Sequence, residues 1–225
     1  MIISITMRLL RTLICAAVLA AGALSAPLSR ADESMAVALA GIESRWAEIK
    51  YHLTDDDVRL DRARAMIRDS AEIAARYPDK PEPLVWQALA LLLEAEVRSD
   101  LATLGIVKKA RNLLEQVEST TPSLMDGSVT AMLGALYYEV PGWPLSFGDG
   151  KKAVFYLKKA LAINPDGMDP NYFYGDYLTQ RGKRREAVPY LEKALSVPTR
   201  PGHQAADEGR KRDIQETLVL ARKVR

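Results

Sequence analysis

The side chains that could do chemistry in this sequence are few. His52 and His203 are the two histidines and Cys15 is the single cysteine. They lie far apart, without an HExxH spacing, so the pattern supplies no zinc set. Thr54-Asp55-Asp56-Asp57 has the look of an acidic metal cluster. A threonine with an aspartate three residues on is more simply a helix start, each side chain answering a free backbone N–H. There is no D-x-D-x-D-G run for calcium. GDGKKA (148–153) puts a glycine turn before a helix, but without the strand and spacing that a phosphate loop requires. No GxSxG elbow occurs. The reading is therefore not an enzyme, with no metal and no cofactor.

What remains is chemistry of recognition. The stretch YYEVPGWPLSFGDGKKA (137–153) interrupts a helical pattern with an aromatic loop. Pro141 and Pro144 end the helix and stiffen the chain, while Gly142, Gly148 and Gly150 permit tight turns. Trp143 and Phe147 are costly to leave in water, so each needs a surface, either the protein's own or a ligand's. A second rich stretch is NPDGMDPNYFYGDYL (164–178). Asp169 followed by Pro170 predicts a helix start, with a capping carboxylate and a preset first residue. Asn171, Tyr172 and Asp176 follow as candidate contacts, and Tyr174 and Tyr177 are expected between helices.

These loops need helices to hold them. Three segments share a spacing: KKARNLLEQVESTTP with Ala110, Leu114, Val117 and Pro122; KKAVFYLKKALAINP with Ala153, Leu157, Ala160 and Pro165; and REAVPYLEKALSVP with Ala187, Leu191, Ala194 and Pro198. Each predicts a helix closed by proline. Each has an earlier partner: LVWQALALLLEAE, TAMLGALYYE and NYFYGDYLTQRG. Their small residues Ala90, Gly134 and Gly175 let paired helices approach closely.

The pattern resembles the tetratricopeptide repeat (TPR), W-x-x-L-G-x-x-Y, then A-x-x-x-F-x-x-A, then P, over residues 84 to 198. The resemblance implies an all-α, TPR-like α-solenoid of about four helical hairpins. Their expected spans are 38–79, 81–122, 125–165 and 168–198, with a capping helix at 204–223. Ile214, Leu218 and Leu220 would cover the last hairpin while that helix's charges face water, since a terminal repeat cannot bury its own outer face. It further implies that Gln87, Glu94, Tyr138, Tyr172 and Asp176 line a concave surface, and that Leu133, Tyr137 and Leu157 pack inside. Candidate partner- or ligand-binding residues are thus Tyr138, Trp143, Phe147, Asn171, Tyr172 and Asp176. GWPLSFGD with LKKALAINPDGMDPNYFYGDYL is also similar to exported bacterial TPR proteins, including the component associated with TRAP-type transporters. That likeness implies a protein partner, such as a transporter's substrate-binding protein. A small-molecule or lipid-binding role beside such a transporter is the alternative it leaves open.

Length and charge bound the rest. The chain has 225 residues, 48% hydrophobic and 27% charged, enough to bury a core and stay soluble. Arg8, Arg11 and the apolar run Leu13–Leu24 predict a secretory leader, residues 1–31, too short to span a bilayer. Cleavage is expected after Ala31 rather than after Ala26, which Pro27 follows. Cys15 is read as filler of that run. The full chain carries a net charge of +2, but without Arg8, Arg11 and Arg30 it holds 28 basic and 29 acidic residues. Nothing basic remains that argues for nucleic acid. The expected location is the bacterial periplasm, and no later segment is apolar enough to span a membrane.

Overall fold

The computed structural model describes residues 30–223, apart from 99 and 101. The leader reading and Cys15 lie outside the described residues. Among those described, the elements are α1 (Arg30–Tyr51), α2 (Asp56–Arg76), α3 (Glu82–Val97), α4 (Ala102–Thr120), a 3-10 turn (Leu124–Gly127), α5 (Ser128–Glu139), α6 (Gly150–Ile163), α7 (Met168–Gln180), α8 (Arg184–Ser196) and α9 (Gln204–Arg222), with no strand.

The helices divide by how their apolar residues are spaced. In α4, Val107, Ala110, Leu114 and Val117 form one buried stripe; in α6, Ala153, Leu157 and Ala160 do so; in α8, Ala187, Leu191 and Ala194. These stripes sit three or four residues apart, the spacing of one helix face. The earlier helices α3 and α5 are apolar on every side, and Ser128–Tyr137 is buried without a break. A helix of that composition has to be enclosed. Consecutive antiparallel pairs α3/α4, α5/α6 and α7/α8 form the array, and α2 packs more on α3 than on α1.

The close approach inside two pairs depends on glycine. A Cβ at Gly134 would meet Leu157 Cγ at 2.6 Å, and one at Gly175 would meet Leu191 Cγ at 2.7 Å. Gly134→Val should lower the unfolding free energy by about 1–3 kcal/mol, as overpacked cores do. Urea titration followed by far-ultraviolet dichroism tests this, and an unchanged midpoint would contradict the packing.

Three details depart from the sequence reading. Helix α2 is capped by Asp55, whose carboxylate accepts from Val58 N at 3.0 Å, rather than by Thr54. Helix α7 begins one residue before Asp169, with Gly167 at its cap. Leu220 is exposed, while Ile214 and Leu218 are buried as the cover of the array. Between α4 and α5 the chain runs through three left-handed residues, Met125, Asp126 and Gly127.

The terminal helices do more than cap. Helix α9 lies on α8 and α7, α1 lies on α2 and α3, and α9 and α1 touch each other. Helix α1 buries Met35, Leu39, Ile42, Trp46 and Ile49 on one stripe, with Trp46 edge-on to Trp86 of α3 at 6.4 Å. Two of the helices expected to line an open concavity are thus packed against terminal helices, α3 against α1 and α7 against α9.

Candidate functional site

The aromatic loop is tied down by its own backbone. Gly148 N donates to Pro141 O at 2.9 Å and Asp149 N donates to Tyr137 O at 2.8 Å. Leu145 N and Ser146 N both donate to Gly142 O, at 3.1 and 3.2 Å. A Cβ on Gly148 would overlap the Val140 carbonyl, so only glycine closes the loop here. Asp149 then starts α6, accepting from Lys151 N at 2.8 Å and Lys152 N at 3.1 Å. Those backbone donors hold its carboxyl below the usual range.

The two large aromatics of this loop go opposite ways. Phe147 turns inward, edge-on to Tyr137 at 5.7 Å, with the Arg111 guanidinium 4.4 Å above its ring. Trp143 is 90% exposed and Leu145 62% exposed. Of the two surfaces open to Trp143 from sequence, its own protein does not provide one. Phe147 is the loop's anchor, half-buried against Arg111 of α4 and Tyr137 of α5.

Behind the loop lies an open cleft of about 860 Å³ between α6 and α7, lined by Asp149, Gly150, Lys151, Val154, Tyr177 and Arg181. Tyr177 is its aromatic wall. Its ring packs on Tyr138 at 5.4 Å and carries the Arg181 guanidinium at 5.4 Å. Tyr138, expected to line a groove, is half-buried and donates its hydroxyl to Asp176 Oδ2 at 2.5 Å. Burial, and next the charge of Asp176, push the Tyr138 hydroxyl well above its ordinary pKa.

Asn171, Tyr172 and Asp176 do not face an open groove. They are 1%, 0% and 4% exposed. The Asn171 amide donates to the carbonyls of Pro165 (2.9 Å) and Gly167 (2.8 Å), which ties the start of α7. Helix α9 covers the other two. Its Arg210, expected to be solvated, is 2% exposed and lies 4.7 Å from the Tyr172 ring and 5.2 Å from Phe173. Arg210 pairs with Asp169 at 3.3 Å and Asp213 at 3.2 Å. Asp169 is therefore a buried counter-charge, which also accepts from the Ser128 hydroxyl at 2.8 Å, and not an exposed cap. Glu94, placed in the groove by the repeat likeness, is buried and accepts from Arg64 Nε at 3.2 Å.

Sequence reasoning missed Lys151, Val154, Tyr177 and Arg181 as one surface. The basic turn RGKRREA was the available signal, but only the fold sets Arg181 beside Gly150. Among the described residues no cluster of His, Cys, Asp and Glu could hold a metal ion. None of their helices is long and apolar enough to cross a membrane.

Stacked antiparallel pairs with small-residue crossings define an all-α, TPR-like solenoid. Among solved structures the chain is similar to a thermophilic TPR protein of Thermus thermophilus, with a TM-score of 0.53 and 22% identity, covering 72% of this chain and 74% of that one. That likeness supports the fold. No protein-family model matches the chain, and no curated protein matches it significantly.

Proposed function

We propose that this protein is an exported interaction scaffold that binds a protein partner at the edge formed by the Trp143 loop and the α6–α7 cleft. One observation carries the reading: Trp143 stands 90% exposed on a loop whose backbone is closed on itself. A rigid aromatic tip loses little freedom on binding and buries much area, which is how interface anchors work. The concave face is a poor candidate, since Glu94, Tyr172 and Asp176, expected to line it, are buried. The cleft beside Trp143 is open rather than enclosed, which suits a protein surface better than a small lipid or solute. Export rests on the leader-like residues 1–31, and a transporter's substrate-binding protein is one partner of the expected kind.

The test places a photo-crosslinking amino acid at position 143 and, as control, at exposed Val37 in the full chain in bacteria. A protein adduct specific to position 143 is expected. The captured protein, purified, should bind the wild-type chain and lose at least about tenfold affinity for Trp143→Ala. That variant should fold unchanged, because an exposed side chain contributes within about 0.5 kcal/mol. Equal adducts at both positions, or full binding by Trp143→Ala, would refute the reading.

A further inference from the structure

The cleft behind Trp143 has a chemistry of its own. Lys151 and Arg181 line it from α6 and from the end of α7, with Tyr177 and Val154 between them. Both cations are exposed, and neither forms an ion pair among the described residues. Other cations of the chain do find carboxylates, as Arg59 and Lys50 do with Glu96 at 2.9 and 2.6 Å. The nearest carboxylate, Asp149, is spent on capping α6. Beyond Arg181 the turn continues with Arg185, while Lys183 pairs with Glu186 at 3.3 Å and Arg184 donates to Lys223 O at 2.8 Å.

We infer that the partner segment received here is acidic: an extended stretch in which carboxylates alternate with apolar side chains. The inference rests on the scaffold reading above and names the chemistry of its partner. Carboxylates meet Lys151 and Arg181. Apolar side chains lie on Val154 and the face of Tyr177, and a longer segment would reach the exposed Trp143 and Leu145 of the loop that leads into α6. An open cleft with one cation from α6 and one from the end of α7 suits a chain. A bilayer would want cations on the tip itself, whereas residues 141–147 carry none.

Trp46 and Trp86 are buried at 0% and 2% exposure, so emission from solvent-exposed tryptophan reports Trp143. The probes are a short peptide alternating glutamate with leucine, its lysine–leucine counterpart, and vesicles of phosphatidylglycerol in phosphatidylcholine. The expected result is a blue shift with the acidic peptide alone, weakening as salt rises. Charge reversal by Lys151→Glu with Arg181→Glu should cost at least about tenfold in affinity and transfer the response to the basic peptide. Both sites are exposed, and dichroism checks that the variant folds. A shift with vesicles and not with the acidic peptide would make this a membrane-docking surface and end the inference. So would acidic-peptide binding indifferent to salt and charge reversal, or no response to any probe. Crosslinks at position 143 that survive charge reversal would leave the scaffold reading standing and remove only the acidic partner. Acidic-peptide binding without any crosslinked protein would do the opposite.

Discussion

Arg210→Leu is expected to lower the unfolding free energy by about 3–5 kcal/mol, the usual result of breaking a buried ion pair by removing one partner. Arg210 is 2% exposed and stands between Asp169 of α7 and Asp213 of α9. Leucine would fill the apolar space against Tyr172 and Phe173 but would take the guanidinium away from the buried carboxylate of Asp169 and from Asp213. The loss should appear in urea titration and as a fall in Tm of roughly 6–20 °C for a domain of this size. Arg210→Lys keeps the charge but not the planar fork over two rings, so an intermediate loss is expected. The exposed control Arg185→Leu should change stability within about 0.5 kcal/mol. If Arg210→Leu behaves like that control, α9 does not close the array in solution.

That prediction depends on a residue the sequence hides. Arg210 sits in EGRKRDIQE, a run whose charges read as a solvated face. Its partner Asp169 is followed by proline and reads as a cap. Nothing local distinguishes a buried arginine from its neighbours Lys211 and Arg212; the distinction comes from α7 lying under one side of α9. Helices α4, α6 and α8 were legible for the opposite reason. Each buries a single stripe, and the stripe's period is written in its own residues. The small residues at 134 and 175 were legible too, because close crossing of paired helices demands them wherever the pairs lie.

The loop was legible as a loop, but the fates of its aromatics were not. Phe147 goes inward because Arg111, from α4, and Tyr137 offer it a charged lid and a ring edge. Trp143 finds no such site. The cleft was illegible because it joins Lys151 of α6 to Arg181 after α7, two residues that look like ordinary surface charges in their own segments. An open concave groove was the natural expectation from the repeat pattern. Of the residues placed there, Glu94, Tyr172 and Asp176 are buried instead, because α3 and α5 are too apolar to line water, α1 packs on α3, and α9 packs on α7.

The buried carboxyl of Asp176 makes stability depend on pH in an unusual direction. Asp176 is buried, and burial raises its pKa from 3.8 to about 6, against the hydrogen bonds donated by Tyr138 and Gln180 and the charge of Arg210. Between those two values the folded chain binds a proton that the unfolded chain does not. Stability from this group is therefore full below pH 3.8 and is lost as pH rises through about 6. The shift corresponds to at most about 3 kcal/mol. Burial raises Glu43 and Asp213 as well, which adds the same sign, while their partners His203 and Arg210 oppose it. Asp176→Asn keeps an acceptor for the Tyr138 hydroxyl and removes the titration. The expected result is a variant at least as stable as wild type at neutral pH, whose advantage shrinks as pH falls towards 4. Urea midpoints measured for both proteins across that range read the difference directly. Because Tyr138 immediately precedes the last residue of α5, the same bond anchors the root of the Trp143 loop, so the variant should also leave exposed-tryptophan emission constant across the titration. A difference curve that is flat, or that rises towards acid, would show that Asp176 is ionised in the folded protein throughout.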